Sequence, residues 1–452
     1  MNPHVFREYD IRGVADVDLK DDFVRDLGRA LGTFWRRRDK QRVAVGRDIR
    51  LSSDRIFAAL SSGIRETGCS VVDVGMGPTP LLYFAVFHGD LDGGVQITGS
   101  HNPPDYNGFK MMCGKDALFG DEIQELRKII EAKEFIEAPL AALESVDAAQ
   151  QYVAYMKANL PALGSSSLRF AVDAGNGAGG PLASETMHAL GLRPHLLLCE
   201  PDGRFPVHHP DPTELENMEL LIERVRSEKL DVGIAYDGDA DRLGVVDAEG
   251  NVIWGDKLLT LFARDLLERH PGAAVLGEVK CSRTLFDDIN ARGGRAVMCK
   301  TGHSLIKAKM KEEKALLAGE MSGHLFFADG YFGFDDAIYA SLRLVELLAR
   351  RGQSIASLLA DLPELYATPE IRLDCPDAIK FAVVERIKQS FASTYRIIDI
   401  DGARIEFEKG WGLIRASNTQ PVLVLRVEAE SPQERDRLRG VLESAVAKAM
   451  AS

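Results

Sequence analysis

A hydroxyl, an imidazole and an ammonium fall close together in Thr98-Gly-Ser-His-Asn-Pro-Pro-Asp-Tyr-Asn-Gly-Phe-Lys110, directly after the apolar run Val95-Gln-Ile97. A serine hydroxyl is a weak nucleophile until a base, a metal or prior modification activates it, and His101 and Lys110 are the candidate partners of Ser100. The apolar run suits a short buried strand. Gly99 frees the turn, while Pro103 and Pro104 forbid a helix behind the serine and predict an extended loop that presents Ser100 to a cleft. Standing alone, the same residues would make an ordinary capped surface turn.

A second constellation, Ala235-Tyr-Asp-Gly-Asp-Ala-Asp-Arg242, lies between the apolar runs Val232-Gly-Ile234 and Leu243-Gly-Val-Val246. Asp237, Asp239 and Asp241 alternate, so their carboxylates can converge in an extended or turning backbone, where they repel strongly unless a cation sits between them. Hard cations select carboxylate oxygen. Mg2+ is the first choice because it keeps open positions for a phosphate oxygen, with which Arg242 could also pair. The alternative is a solvated acidic turn; a calcium EF-hand loop is excluded, because its glycine and distal glutamate are missing.

Two further loops carry binding chemistry. Leu316-Leu-Ala-Gly-Glu-Met-Ser-Gly-His-Leu-Phe-Phe327 spaces Glu320, Ser322 and His324 two apart, and strand-like alternation would project all three to one side, suited to the hydroxyls of a sugar. Gly412-Leu-Ile-Arg-Ala-Ser-Asn-Thr-Gln-Pro421 offers a forked guanidinium at Arg415 and small donors at Ser417, Asn418 and Thr419, a mixture that suits a phosphate. Taken singly, one could be a satisfied strand end and the other a hairpin turn.

Together the four loops resemble, in order and spacing, those of the alpha-D-phosphohexomutase superfamily, most closely its bacterial phosphomannomutase/phosphoglucomutase branch. The resemblance covers essentially the whole chain and extends to Phe6-Arg-Glu-Tyr-Asp-Ile-Arg-Gly13, Lys280 and Thr301-Gly-His303. It implies a reversible isomerase that interconverts hexose 1-phosphate and 6-phosphate, of glucose and/or mannose. The route would run through a phosphoserine enzyme and a hexose 1,6-bisphosphate, which also acts as activator. Ser100 would carry the phosphate, and Mg2+ would be held by that group with Asp237, Asp239 and Asp241. Arg12, Lys110 and Arg242 would surround the transferring phosphoryl group, with Lys110 and His324 as general acid and base and His101 assisting. Glu320 and Ser322 would hold the sugar's 3- and 4-hydroxyls, and Arg415, Ser417, Asn418 and Thr419 the phosphate that is not reacting. Tyr9, Lys280 and His303 would complete the contacts. Met321 resembles the dual branch more than the phosphoglucosamine mutases, the nearest alternative.

Two rival readings belong to other classes. Gly175-Asn-Gly-Ala-Gly-Gly180 fits G-x-G-x-x-G after an apolar run, with Glu200 downstream, as in a dinucleotide-dependent oxidoreductase; the competing view makes it a structural strand-to-helix turn. Alternatively, Asp237 could be a phosphatase-type nucleophile with Asp239 as acid, which would leave the Ser100 loop unused.

Positioning these loops calls for alternating strands and helices. Strands are expected at 42–49, 70–75 and 168–172, with helices at 53–67, 121–132, 181–190, 214–229, 256–269 and 337–350. After Pro363 the pattern changes to antiparallel strands at 370–373, 396–400 and 422–428, with helices at 377–391 and 432–450. The expected fold is therefore three related α/β domains with mixed sheets, at 1–147, 148–251 and 252–363, and a C-terminal α+β domain at 364–452, set around a central cleft. A chain of 452 residues exceeds one ordinary core. Its net charge of −13 argues against nonspecific nucleic-acid binding and requires a locally basic cleft for an anionic sugar phosphate. Six scattered cysteines without a Cys-x-x-Cys pair, no apolar signal core and no membrane-length apolar run fit a reduced, cytoplasmic protein that is a monomer or a dimer.

Overall fold

In the computed structural model, which describes residues 2–417 and 421–451, the apolar runs that flank the four loops become paired strands. Gly93–Ile97 with Tyr106–Cys113, Val232–Tyr236 with Leu243–Asp247, Leu317–Gly319 with Leu325–Phe327, and Gly410–Ala416 with Val422–Ala429 are antiparallel neighbours. Each functional loop therefore joins the two arms of a hairpin. In the first three units the strand entering the loop also pairs in parallel on its other edge, with Arg42–Arg47, Phe170–Asp173 and Ala274–Glu278 respectively. These are mixed sheets, and their loops lie where ligands of α/β sheets gather, beyond the carboxyl ends of parallel strands. The described pairings of the last sheet are all antiparallel, and Lys380–Phe391 and Pro432–Ala451 pack on it as helices. The architecture is three α/β domains followed by an α+β domain.

Burial follows the pairing. The strands before the first three loops are buried along their whole length, as parallel strands covered on both faces must be. One apolar core runs from Ala44 to Ile355 through the first three units. It is bound across the unit boundaries by aromatic pairs: Phe84 lies 5.2 Å from Tyr152, and Tyr83 lies 5.5 Å from Phe334. The last unit has its own core and meets the third at a small apolar cluster of Val279, Trp411 and Leu413 and through polar contacts. There the buried Arg404 guanidinium donates to the carbonyls of Val279 at 2.7 Å and Cys281 at 2.9 Å while lying 3.7 Å from the Trp411 ring.

Several elements differ from the sequence expectation at their ends. The strand expected over 42–49 ends at Arg47, because Asp48 accepts hydrogen bonds from Arg50 N and Ser53 Oγ and turns the chain into the helix Ser53–Glu66. The helix expected over 214–229 is a 3-10 turn, Leu215–Met218, and an α-helix, Glu219–Glu228, closed by Lys229 in the left-handed region.

A buried carboxylate stitches the second and third units. Asp336 accepts from Tyr152 Oη at 2.9 Å and Tyr331 Oη at 2.7 Å, and caps the helix Ala337–Arg351 through Tyr339 N at 2.8 Å. Replacing it strands two buried phenols and a helix end together. Asp336→Ala is expected to destabilise the protein by about 3 kcal/mol, and Tyr152→Phe by about 1 kcal/mol, in urea denaturation followed by tryptophan fluorescence.

Candidate active site

Ser100 sits at the bend of its loop with φ 47°, a left-handed backbone that serine adopts rarely. The loop is folded back, not extended as its prolines suggest: Asn102 N donates to Gly99 O at 2.9 Å and Tyr106 N to Pro103 O at 3.0 Å. This bend turns Ser100 Oγ toward the second unit, where it donates to Asp237 Oδ2 at 2.7 Å, and places His101 Nδ1 at 3.1 Å from the same oxygen. Arg12 reaches the loop through Asn102 Oδ1 at 2.5 Å and is held by Asp10 at 2.6 Å.

Asp237, Asp239 and Asp241 have no exposed surface, and their oxygens converge within 4.8 Å. Positive charge comes mainly from Lys110 of the first unit, whose ammonium lies 2.7 Å from Asp239 Oδ2 and also bonds Asp241 Oδ2. Thr79 Oγ1 donates to Asp239 as well. Burial and the neighbouring Asp241 and Asp239 push Asp237 well above the carboxylate range. Burial acts the same way on Asp239, but Lys110 outweighs it and holds that group below its ordinary value. Asp239 Oδ1 and Asp241 Oδ1 are buried without a hydrogen-bond partner. Orphaned anionic acceptors in a triad that one lysine cannot neutralise are what a divalent cation satisfies, so the donor set fits one. A second converging group, Asp241, His324 and Asp335, also has orphaned atoms at His324 Nδ1 and Asp335 Oδ2, but Lys307 at 3.0 Å from Asp335 Oδ1 supplies a cation there.

His324 bridges the three aspartates to the turn that begins at Glu320. Its Nδ1 lies 3.0 Å from Asp335 Oδ2 and 3.6 Å from Asp241 Oδ1, while Arg242 Nε donates to its Nε2 at 3.1 Å. That geometry leaves the lone pair on Nε2. Burial opposes a charged ring, yet Asp241, Asp335 and Glu320 prevail and raise its pKa, so a proton taken up there is stabilised. His101 is the opposite case: burial, Arg242 and Arg12 depress it well below the ordinary imidazole value and keep it neutral beside the serine.

Glu320, Ser322 and His324 do not reach one side by strand alternation. Residues 320–324 form a tight turn, with Glu320 N donating to His324 O at 2.9 Å and Gly323 at φ 96°. Ser322 Oγ donates to Glu320 Oε2 at 3.0 Å, and Gly302 N to Glu320 Oε1 at 2.7 Å, which ties this loop to the Thr301–His303 turn. Tyr9 Oη donates to Thr301 O at 3.2 Å and packs on Gly302, where a Cβ would lie 2.9 Å from the ring. His303 stacks on His324 with ring centres 5.8 Å apart. On the far side, Arg415 Nε lies 3.1 Å from Asp401 Oδ2, which also accepts from Thr301 N at 3.2 Å, and Lys280 lies 3.3 Å from Glu370 Oε2. Ser417 is buried at the end of this strand, and Asn418 and Thr419 lie outside the described residues. A continuous polar path thus runs from Arg415 through Asp401, Thr301, Gly302 and Glu320 to His324 and the three aspartates. Asp335, Thr79 and Asp401 were not singled out from sequence. Thr79 and Asp401 act on partners in another unit, and Asp335 on His324 and Lys307 from separate turns of its own; the only local signal of each is a polar side chain beside an apolar segment.

The glycine-rich turn packs against the acidic loop. Ala178 N donates to Gly238 O at 2.9 Å, and a Cβ at Gly177 would lie 2.8 Å from that carbonyl; at Gly180 it would lie 2.2 Å from Cys199 O. Close backbone approach within the protein accounts for these glycines, in keeping with the structural reading of the turn. The segment 200–213 then crosses to the nucleophile loop, where His209 Nε2 donates to His101 O. His208 anchors it, with Nε2 3.2 Å from Asp173 Oδ2 and Nδ1 2.9 Å from His209 O. Both ring nitrogens face acceptors, so the imidazolium satisfies both, and the hydrogen bond to Asp173 is the main cause of a raised pKa. The stability this pair supplies is complete below the unfolded histidine value near 6.5 and is lost as pH rises through the higher folded value. In thermal melts, the deficit of His208→Gln relative to wild type should be largest at about pH 6 and shrink toward about pH 9.

The comparisons agree over the whole chain. Residues 3–137, 150–250 and 254–366 match the phosphoglucomutase/phosphomannomutase alpha/beta/alpha domains I, II and III, and residues 370–443 match the C-terminal domain of that family. A phosphomannomutase/phosphoglucomutase of Pseudomonas aeruginosa is 45% identical over 438 residues, covering 97% of this chain and 94% of that protein. A phosphoglucomutase of Neisseria gonorrhoeae is 44% identical over 452 residues, covering 97% of each. The crystal structure of a phosphoglucomutase/phosphomannomutase family protein from Burkholderia thailandensis superposes with a TM-score of 0.91 at 42% identity, covering 99% of this chain and 98% of that one. With four hairpin loops meeting in one polar site and all four domains matched, the chain belongs to the phosphoglucomutase/phosphomannomutase family.

Proposed function

We propose that this protein is a phosphohexomutase that reversibly interconverts hexose 1-phosphate and hexose 6-phosphate, of glucose and/or mannose, through a phosphoserine at Ser100 and a hexose 1,6-bisphosphate. The observation that carries this reading is the 2.7 Å contact between Ser100 Oγ and Asp237 Oδ2, which sets a strained seryl oxygen from one domain on a buried triaspartate from another. Asp237, Asp239, Asp241 and the phosphorylated Ser100 would hold Mg2+. Once bound, it supplies charge stabilisation at the seryl oxygen and phosphoryl group.

Phosphoryl transfer spreads charge over the equatorial oxygens, so this chain contributes chiefly position and positive charge. The free hydroxyl of a hexose phosphate attacks phosphorus, its proton leaves to a base, and the bond to Ser100 Oγ breaks. His324 would accept that proton at Nε2 once the sugar hydroxyl takes the place that Arg242 Nε holds there, with Asp335 behind the ring. Burial lowers the Lys110 pKa, but Asp239 and Asp241 outweigh it and carry it well above the usual lysine value. Lys110 is therefore charged; with Arg12 and Arg242 it would face the phosphoryl group, and as general acid it would give a proton to the departing seryl oxygen. Glu320 and Ser322 grip the 3- and 4-hydroxyls, while Arg415, Ser417, Asn418, Thr419, Lys280, Tyr9 and His303 hold the rest of the substrate and its distal phosphate. After the bisphosphate turns around, the second phosphate returns to Ser100 by the reverse step. Since the assigned hydroxyl contacts leave out the 2-position, at which glucose and mannose differ, both sugars fit.

The phosphatase reading leaves the Ser100 loop without a role, although that loop sets Ser100 Oγ 2.7 Å from Asp237 Oδ2. Trapping the phosphoenzyme tests the choice, since an acid-stable phosphoserine at position 100 supports the mutase and a labile acyl phosphate on Asp237 overturns it. A coupled assay offering glucose, mannose and glucosamine 1-phosphates in turn, with Mg2+ and the matching 1,6-bisphosphate, separates the mutase branches. In that assay Ser100→Ala is expected to lose several orders of magnitude in kcat with folding intact. Arg415→Ala should raise KM about tenfold or more with a smaller effect on kcat, and chelation by EDTA should abolish turnover until Mg2+ is restored.

A further inference from the structure

Beneath the nucleophile loop lies an ion pair that the chemistry above does not use. The Arg50 side chain is 0% exposed and its Nε lies 3.2 Å from Asp48 Oδ2. Its Nη2 donates to the carbonyls of Ser100 at 2.8 Å and Asn102 at 2.6 Å; its Nη1 donates to Tyr106 O at 2.9 Å and to Pro103 O. One guanidinium therefore collects four carbonyls of the Ser100 loop. Asp48 holds the other end of the same turn by accepting from Gly99 N at 3.0 Å. The guanidinium fills the space under the loop so fully that a Cβ on Gly99 would lie 2.3 Å from Arg50 Nε. Phe205 of the crossing segment lies 5.3 Å above Arg50, and Gly203 packs on its backbone, so the second domain seals the pair from outside.

A planar fork with five N–H donors is the side chain that can bind several carbonyls and a carboxylate at once; lysine's three donors from a single atom cannot reproduce that spread. The carbonyls it gathers follow Ser100 directly, and Ser100 holds a disfavoured φ of 47° that persists only where the surroundings over-determine it. We infer that Arg50, backed by Asp48, is a positioning residue for phosphoryl transfer: it drives Ser100 into the left-handed bend and so aims Oγ at Asp237. The inference rests on the proposed role of Ser100 as phosphoryl carrier. Arg50 acts through the loop backbone, so its loss should change where the seryl oxygen stands without removing any substrate contact.

The test compares wild type with Arg50→Lys, Arg50→Met and Asp48→Asn, each checked for folding by circular dichroism and melting temperature. Steady-state kinetics are measured with glucose 1-phosphate, Mg2+ and glucose 1,6-bisphosphate, along with the half-life of 32P-labelled enzyme in the absence of sugar. Arg50→Lys should lower kcat about 100-fold with KM within about threefold of wild type, because a misplaced reacting group costs rate and not binding. The labelled phosphoserine should also lose its phosphate to water faster, about tenfold, as the loop loosens. Asp48→Asn should shift both quantities in the same direction by less. If Arg50→Met, which leaves Asp48 buried without its partner, does not fold, Arg50→Lys decides. A folded Arg50→Lys with kcat within twofold of wild type and an unchanged half-life overturns the inference, and so does a raised KM at unchanged kcat. Wild-type enzyme that never takes label at Ser100 overturns the functional reading itself, before any variant is compared.

Discussion

Three carboxylates with no exposed surface cannot stand together without positive charge, and that requirement organises this molecule around Asp237, Asp239 and Asp241. In the structure the compensation crosses a domain boundary: Lys110 comes from a strand of the first domain, and the Ser100 hydroxyl follows it to Asp237. Docking the first two domains is thus an electrostatic necessity as well as an apolar one. The shared core through Phe84 and Tyr152 supplies the burial that makes the charges matter.

The four hairpins solve a positioning problem with one device. In the first three a strand with a parallel neighbour brings the chain to the carboxyl edge of its sheet, in the fourth an antiparallel one does, and in each an antiparallel strand follows. Side chains on such loops are held nearly as firmly as strand residues while still facing a cleft. The polar path from Arg415 to His324 shows the result, because Asp401, the Thr301–His303 turn and the 320–324 turn are joined to one another by hydrogen bonds. A substrate spanning this path would touch every domain, which suits chemistry in which one sugar presents first one end and then the other.

Much of the site was legible because its chemistry is local in sequence. Asp237, Asp239 and Asp241 alternate beside Arg242, and Glu320, Ser322 and His324 share one turn, so residue types and spacing alone drew attention to both groups. Conformation was less legible. The prolines at 103 and 104 suggested an extended loop, but Arg50 and Asp48, from an earlier turn, fold it back. Alternation suggested a strand for 320–324, whereas Gly323 and two backbone hydrogen bonds make a turn. Local signals cannot register forces that arrive from fifty residues away.

What the chain specifies by itself is the inventory: four polar loops bounded by apolar runs, a strand-and-helix alternation that gives way to antiparallel strands, and a serine waiting for a partner. Period and composition carry that information because burial of apolar faces is a local demand. Tertiary structure alone decided the rest. It chose which oxygen of which aspartate meets Ser100, packed the Gly175–Gly180 turn against Gly238, and placed Asp335 behind His324 and Arg50 beneath the bend. Those choices rest on contacts between residues far apart in sequence, where ion pairing and hydrogen bonding depend on distances that exist only after the domains have closed on one another.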